Sequence, residues 1–98
     1  MLLIGDIYFE WDADKEVDNI SKHGLSFYEA VTVFDDDNAL YFYDDAHSDM
    51  EDRFIILGLS DKANLILVCH CYREEDSMIR IISAREATTT EYKLYGGA

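Results

Sequence analysis

Three arginines in the last third of the chain, Arg73, Arg80 and Arg85, are the residue type that phosphoryl chemistry needs. Charge builds on the non-bridging oxygens when a phosphate ester is attacked, and a planar guanidinium fork meets two of those oxygens at once. Arg80 alternates with Ile79 and Ile81 and therefore faces away from them, whereas Arg85 stands at a strand end where parity is no guide. Rim arginines that balance an acidic body are the plainer alternative. A second set, Lys15, Asn19, Lys22 and His23, falls within one helical arc of roughly 100°. Two ammonium groups, an amide and an imidazole on one side of a helix suit a phosphate or an RNA strand. A solvated face with cations near the negative end of the helix dipole is the alternative there. A third set, Asp49, Glu51, Asp52 and Arg53, offers a carboxylate as general base, or as the lock on a neighbouring arginine. His47 and His70 are further candidates for proton transfer, with His70, between two cysteines in mid-strand, reading as a packed residue.

Metal and cofactor chemistry finds no support in the spacing. The stretch from Asp35 to Ala46 fails as a calcium loop, because Leu40 stands where the turn needs glycine and Ala46 where it needs a bidentate glutamate. Cys69-His70-Cys71 fails as a zinc motif, since alternate side chains point to opposite sheet faces and no second ligand pair exists. A Gly-rich phosphate loop and a nucleophile elbow are both missing, so no cofactor and no metal is expected.

These groups must be positioned by a small number of elements. Residues 7–11, Ile-Tyr-Phe-Glu-Trp, have the content of a short first strand. Asp12 caps a helix with Lys15 to His23 as its body and Gly24 as its stop. Ser26 and Glu29 have capping-box spacing at the start of a second helix, Phe27 to Phe34, which the Asp35-Asp36-Asp37-Asn38 run ends. Strands follow at Ala39 to Asp44, Arg53 to Ser60, Leu65 to Arg73 and Met78 to Arg85, joined by short turns as in an antiparallel meander. Thr88 and Glu91 repeat the capping-box spacing before a last helix, Thr89 to Tyr95, stopped by Gly96-Gly97. The order β-α-α-β-β-β-β-α predicts an α+β two-layer fold on an antiparallel sheet, one face covered by helices and the other open.

Composition bounds the answer further. The 98 residues make one domain, 1–98, and with 49% hydrophobic and 13% aromatic residues the chain fills a core despite its 21 acidic side chains. A net charge of −13 argues against free, charge-driven binding to nucleic acid. The charge is uneven, with 19 acidic and 5 basic residues through residue 76 and two acidic against three basic after it. A local cationic surface on an acidic body is therefore permitted. No run approaches the ~18 apolar residues of a membrane span, and the opening MLLIGDIYFEW has no basic n-region or apolar core, so no secretory address is expected. Cys69 and Cys71, about 7 Å apart along a strand face, do not suit a disulfide and fit a reducing cytoplasm.

Taken together, the residues resemble a family. Phe9-Glu10-Trp11-Asp12, Lys15, Asn19, Lys22-His23-Gly24, Ser26-Phe27, Glu29-Ala30 and Val33-Phe34 are similar to the opening signature of the BrnT toxins. His47, Glu51-Asp52-Arg53-Phe54, Gly58, Arg73 and the block Ile79-Arg80-Ile81-Ile82-Ser83-Ala84-Arg85, followed by Ala87, Glu91 and Tyr95, resemble its second half. Nearly the whole chain is covered. Two departures stand out: Asp36-Asp37 where many members have a proline after the acidic residue, and Thr88-Thr89-Thr90 where relatives often carry Lys or Arg.

The resemblance implies a RelE-like fold, an RNA-cleaving toxin of a type II toxin–antitoxin system, and a BrnA-like ribbon-helix-helix antitoxin as partner, with DNA reached only through that antitoxin and no membrane involved. It implies metal-free cleavage by the RNA 2′-hydroxyl, leaving a 2′,3′-cyclic phosphate and a 5′-hydroxyl. Carried onto this sequence, Arg80 and Arg85 clamp phosphate with Arg73 as a third cation, Glu51 is a base or orienter, and His23 moves protons. Lys15, Lys22, Asn19 and Arg53 then contact RNA. The alternative is a catalytically silent module of the same fold that binds an antitoxin in operon autoregulation, which the −13 charge and the missing C-terminal cations suit.

Overall fold

Local signals fix most of the elements. In the computed structural model, which describes residues 2–96, the chain forms β1 (Leu2–Ile4), β2 (Ile7–Glu10), α1 (Ala13–His23), α2 (Phe27–Thr32), β3 (Leu40–Tyr43), β4 (Phe54–Leu59), β5 (Leu65–Arg73), β6 (Met78–Glu86) and α3 (Thr89–Tyr95). Asp12 accepts from the amides of Asp14 and Lys15 to start α1, and Gly24 ends it in the left-handed region at φ 71. Only a residue without Cβ takes that conformation at little cost. Thr88 and Glu91 form the full capping box of α3. Gly96 follows α3 with right-handed backbone, and its expected companion Gly97 lies outside the described residues.

The second capping box forms only by half. Ser26 accepts from the Glu29 amide, but the Glu29 carboxylate turns away to the β4–β5 turn, where Ser60 Oγ and Asn64 Nδ2 donate to it at 2.7 and 2.8 Å. Glu16 of α1 accepts from the Phe27 amide at 2.9 Å. Helix α2 is also shorter than expected, because Val33–Asp35 tightens into a 3₁₀ turn. Asp36 then accepts from the amides of Asn38 and Leu59 and from the Tyr95 hydroxyl, which ties this corner to β4 and to α3.

The sheet differs from the expected antiparallel meander in two ways. Its order is β1-β2-β6-β5-β4-β3, and β2 pairs with β6 in parallel, so the sheet is mixed. It also gains β1, folded back on β2 through a turn at Gly5, whose φ of 60 the missing Cβ permits. The element order is therefore β-β-α-α-β-β-β-β-α. Side-chain alternation tells a strand from a helix, but it is silent on direction when two strands lie at opposite ends of the chain.

The covered face carries the core. Phe27, Ala30, Val31 and Val33 from the α2 segment pack on Phe9, Ile56, Ile66, Val68, Ile79 and Ile81 from the sheet. His70 belongs to this layer, fully buried beside the rings of Phe34 and Tyr72. Its Nδ1 meets the Val68 carbonyl oxygen at 3.2 Å, which needs the proton on Nδ1, and leaves Nε2 to accept from the Tyr72 hydroxyl. Burial pushes its pKa down to about 4. Gly58 is where the 3₁₀ turn comes closest to the sheet: a Cβ there would sit 2.9 Å from Val33 Cγ1 and 3.0 Å from Ala39 Cβ.

On the other face lie Leu57, Leu65, Leu67, Cys69 and Cys71, with α3 packed against β4 at one end. Between β5 and β6 the hairpin turns through Glu74, Glu75 and Asp76, three consecutive residues at positive φ. Among the described residues no helix is long and apolar enough to cross a membrane.

Two stability predictions follow from this packing. Gly58→Ala should lower the unfolding free energy by about 1–3 kcal/mol through overpacking against Val33 and Ala39, read as a lower urea midpoint. For His70, the unfolded chain binds a proton near pH 6.5 and the folded chain only near 4, so stability should fall as pH drops through that window. The loss should reach about 3 kcal/mol, and His70→Phe should flatten the stability–pH curve between those limits.

Candidate active site

An extra residue in β6 decides which arginines meet. Along β5 and β6 the pairs Cys71↔Arg80 and His70↔Ile81 are followed by Cys69↔Ser83, so Ile82 is a bulge. An interval of five residues would otherwise put Arg80 and Arg85 on opposite faces. With the bulge, Arg80, Ser83 and Arg85 all share the face of Leu67, Cys69, Cys71 and Arg73, while Ile79, Ile81 and Ala84 point into the core. The parity that the sequence left open for Arg85 is thereby set by the ladder.

Helix α1 holds this bulge from the side. Strand β2 pairs with β6 only as far as Glu10↔Arg80, and beyond that point the amide of Ala84 donates to Asn19 Oδ1 at 3.0 Å. The Asn19 Nδ2 donates to the Leu25 carbonyl at 2.9 Å, and the residue is buried. Asn19, expected on the RNA-contacting arc, thus spends both ends of its amide on the backbone and acts as a brace. Its neighbours on that arc do reach a surface. Lys15, Lys22 and His23 line, with Asp18, Ile82 and Ser83, a shallow pocket of about 230 Å³. Since Ser83 lies on the arginine face, the α1 arc borders that face at the bulge.

Around Cys71 the charges converge. Its buried thiol is pushed up by desolvation and by Glu51, against the pull of Arg73, Arg80 and Arg53. Arg80 is the cross-strand partner of Cys71, and Arg73 stands two residues along β5 on the same face. Glu51 pairs with Arg73 at 3.1 Å and with Arg53 at 3.9 Å. Arg80 pairs with Glu10 at 2.7 Å, a contact that the parallel register Glu10↔Arg80 creates directly. Arg85 makes a two-pronged pair with Glu91 at 2.8 and 2.9 Å, which raises the guanidinium pKa and pulls the carboxyl down to about 2. Glu91 also accepts from the Thr88 amide as part of the α3 cap.

Two of these carboxylates escaped the sequence reading. Glu91 carried a usable signal, since a capping-box glutamate a short chain segment from Arg85 has both within reach. Glu10 carried none, because its partner depends on the parallel pairing of distant strands. His70, His47 and Cys69 take no part in the cluster. His70 is neutral in the core, and His47 binds the buried Asp44 at 3.0 Å. Cys69 lies 3.7 Å from Asp44, and burial together with that carboxylate pushes its thiol up to about 11, which keeps it protonated and weakly nucleophilic. Among the described residues no group of three His, Cys, Asp or Glu side chains could hold a metal.

The arrangement can bind and stabilise anionic oxygens. Four half-exposed guanidinium groups face one side of the sheet, and each is held by a carboxylate that fixes its orientation. A phosphate must compete with those carboxylates, which favours a rigid polyanion that meets several arginines at once over a single free ion.

Comparison with known proteins gives this geometry its family. The family described as the ribonuclease toxin BrnT of type II toxin–antitoxin systems matches residues 11–91. No curated protein sequence matches. Among solved structures, the crystal structure of the Brucella abortus ribonuclease toxin BrnT superposes with a TM-score of 0.64 and 25% sequence identity, over 85% of this chain and 99% of that one. The match spans all of the arginine cluster, the α1 arc and Glu91, and the chain belongs to the BrnT family of ribonuclease toxins of type II toxin–antitoxin systems.

Proposed function

We propose that this protein is a metal-free endoribonuclease that inhibits translation by cutting RNA and is neutralised by a BrnA-like ribbon-helix-helix antitoxin. The observation that carries the reading is the sharing of one sheet face by Arg73, Arg80 and Arg85, set by the bulge at Ile82, with Glu51 bridging Arg73 and Arg53. In this reading Arg80 and Arg73 hold the non-bridging oxygens of the scissile phosphate, and Arg85 and Arg53 hold the flanking backbone. Glu51 takes the proton of the 2′-hydroxyl as the O2′–P bond forms and the P–O5′ bond breaks. A proton returns to the 5′-oxygen from the His23 side of the site. Lys15 and Lys22 meet the strand along the pocket beside Ser83. The products are a 2′,3′-cyclic phosphate and a 5′-hydroxyl, and DNA is reached only through the antitoxin, in the cytoplasm.

A second reading is favoured by a specific feature: the site cations are already paired with carboxylates, and the face of a −13 protein repels RNA at long range. It makes the chain a catalytically silent module that binds its antitoxin and acts in operon autoregulation.

Incubation of the antitoxin-free protein with end-labelled RNA separates the two. Cleavage leaving cyclic phosphate, reduced about 10²–10³-fold by Arg80→Ala, is the expected outcome, with the melting temperature of the variant close to that of the parent. No cleavage at low salt or in the presence of ribosomes would leave the silent module as the function.

A further inference from the structure

A second concavity lies away from the arginines. It is a groove of about 780 Å³ on the helix-covered side, between the β1–β2 hairpin, the α2 segment and the end of β4. Phe9, Val31 and Phe34 form its floor, Ile4 and Ile7 stand along its outer wall with 47 and 39% of their surface open to solvent, and the chain at Leu59 to Asp61 closes the far side. Register places Ile4, Ile7 and Phe9 on the covered face, opposite Arg80 and Arg85. Every charged residue that lines the groove is acidic: Asp6, Asp35, Asp36 and Asp61. Of these, Asp36 is committed to Tyr95 and to the Leu59 amide, which leaves Asp6, Asp35 and Asp61 exposed at the rim.

An apolar floor inside an acidic rim selects its occupant. Phosphate backbones and anionic lipid headgroups are repelled by the rim, and a fully solvated cation gains nothing from Phe9, Val31 and Phe34. A peptide that presents apolar side chains flanked by Lys or Arg satisfies both, with burial as the driving force and the rim setting register and on-rate. The outer wall, Ile4 to Ile7, is the β1–β2 hairpin, which precedes the matched residues 11–91.

We propose that this groove is the docking site of the cognate antitoxin, which inserts a segment of apolar residues flanked by basic ones. The proposal rests on the antitoxin reading given above and adds the surface that the partner uses. Docking there leaves the arginine face uncovered by the anchoring segment, so binding and RNA cleavage are separable by mutation.

The test uses the tagged product of the reading frame adjacent to the toxin's own as the probe, with three variants of the full chain checked for folding by circular dichroism. Asp6→Lys/Asp35→Lys reverses the rim, Ile7→Ser blunts the wall, and Asp14→Lys/Asp45→Lys makes the same charge change elsewhere. Capture should weaken at least tenfold for the rim variant and severalfold for Ile7→Ser, stay within twofold for the remote pair, and lose strength with added salt. RNA cleavage by the isolated rim and wall variants should equal that of the parent. Unchanged capture by the groove variants, or an equal loss in the remote pair, would overturn the groove. Failure of the parent to bind the probe would overturn the antitoxin reading and the groove together, whereas intact capture without cleavage by any form would sink only the ribonuclease.

Discussion

Strand β6 has one residue too many, and the rest of the molecule is arranged around that fact. A regular strand would turn Arg85 into the core and Ala84 out of it, at the cost of a buried guanidinium or a broken ladder. The bulge at Ile82 removes the conflict, and because β2 ends at Glu10↔Arg80 the Ala84 amide beyond it has no strand partner on that side. Asn19 supplies that partner from α1, and Leu25 at the end of α1 is fastened by the same side chain. The helix is thereby fixed against β6 at the height where Lys15, Lys22 and His23 border the arginine face. One side-chain amide links the parity of the strand to the position of the helix.

The electrostatics rest on the same economy. Cations on an acidic protein of this size are held by their own carboxylates: Glu10 for Arg80, Glu51 for Arg73 and Arg53, Glu91 for Arg85. Exposed pairs of this kind contribute little to stability. Their effect is to hold long side chains in fixed directions on one face of the sheet. The acidic surplus collects elsewhere, on the β5–β6 turn at Glu74 to Asp76 and around the groove of the opposite side.

Much of this was legible from sequence, for local reasons. The helix caps at Asp12, Gly24, Ser26 and Thr88 are contacts between near neighbours, and the runs 65–73 and 78–86 alternate clearly enough to be strands. What escaped depends on distant partners. The parallel seating of β2 on β6, the bulge, the Glu10–Arg80 pair and the recruitment of Asn19 as a brace all require knowing which edge meets which. Strand β1 was missed for another reason: Gly5-Asp6 between apolar pairs is a hairpin signal, but three-residue strands fall below what periodicity detects. Within the Asp36-Asp37 pair, Asp36 has a structural task. Its carboxylate offers acceptors to Leu59, Asn38 and Tyr95 and so ties this corner to β4 and α3.

Glu91 serves two masters, and this makes the last helix a reporter. Its Oε1 accepts from Arg85 and from the Thr88 amide that opens α3, while Tyr95 at the far end of the helix is tied to Asp36, its hydroxyl held protonated to about pH 12. A phosphate that draws Arg85 away from Glu91 therefore alters the cap of α3 as well. By reciprocity, whatever orders or frays that helix changes the affinity of Arg85 for the phosphate by the same factor. A ligand that displaced Glu91 from Arg85 would therefore be read out in the hydrogen-exchange rates of the α3 amides.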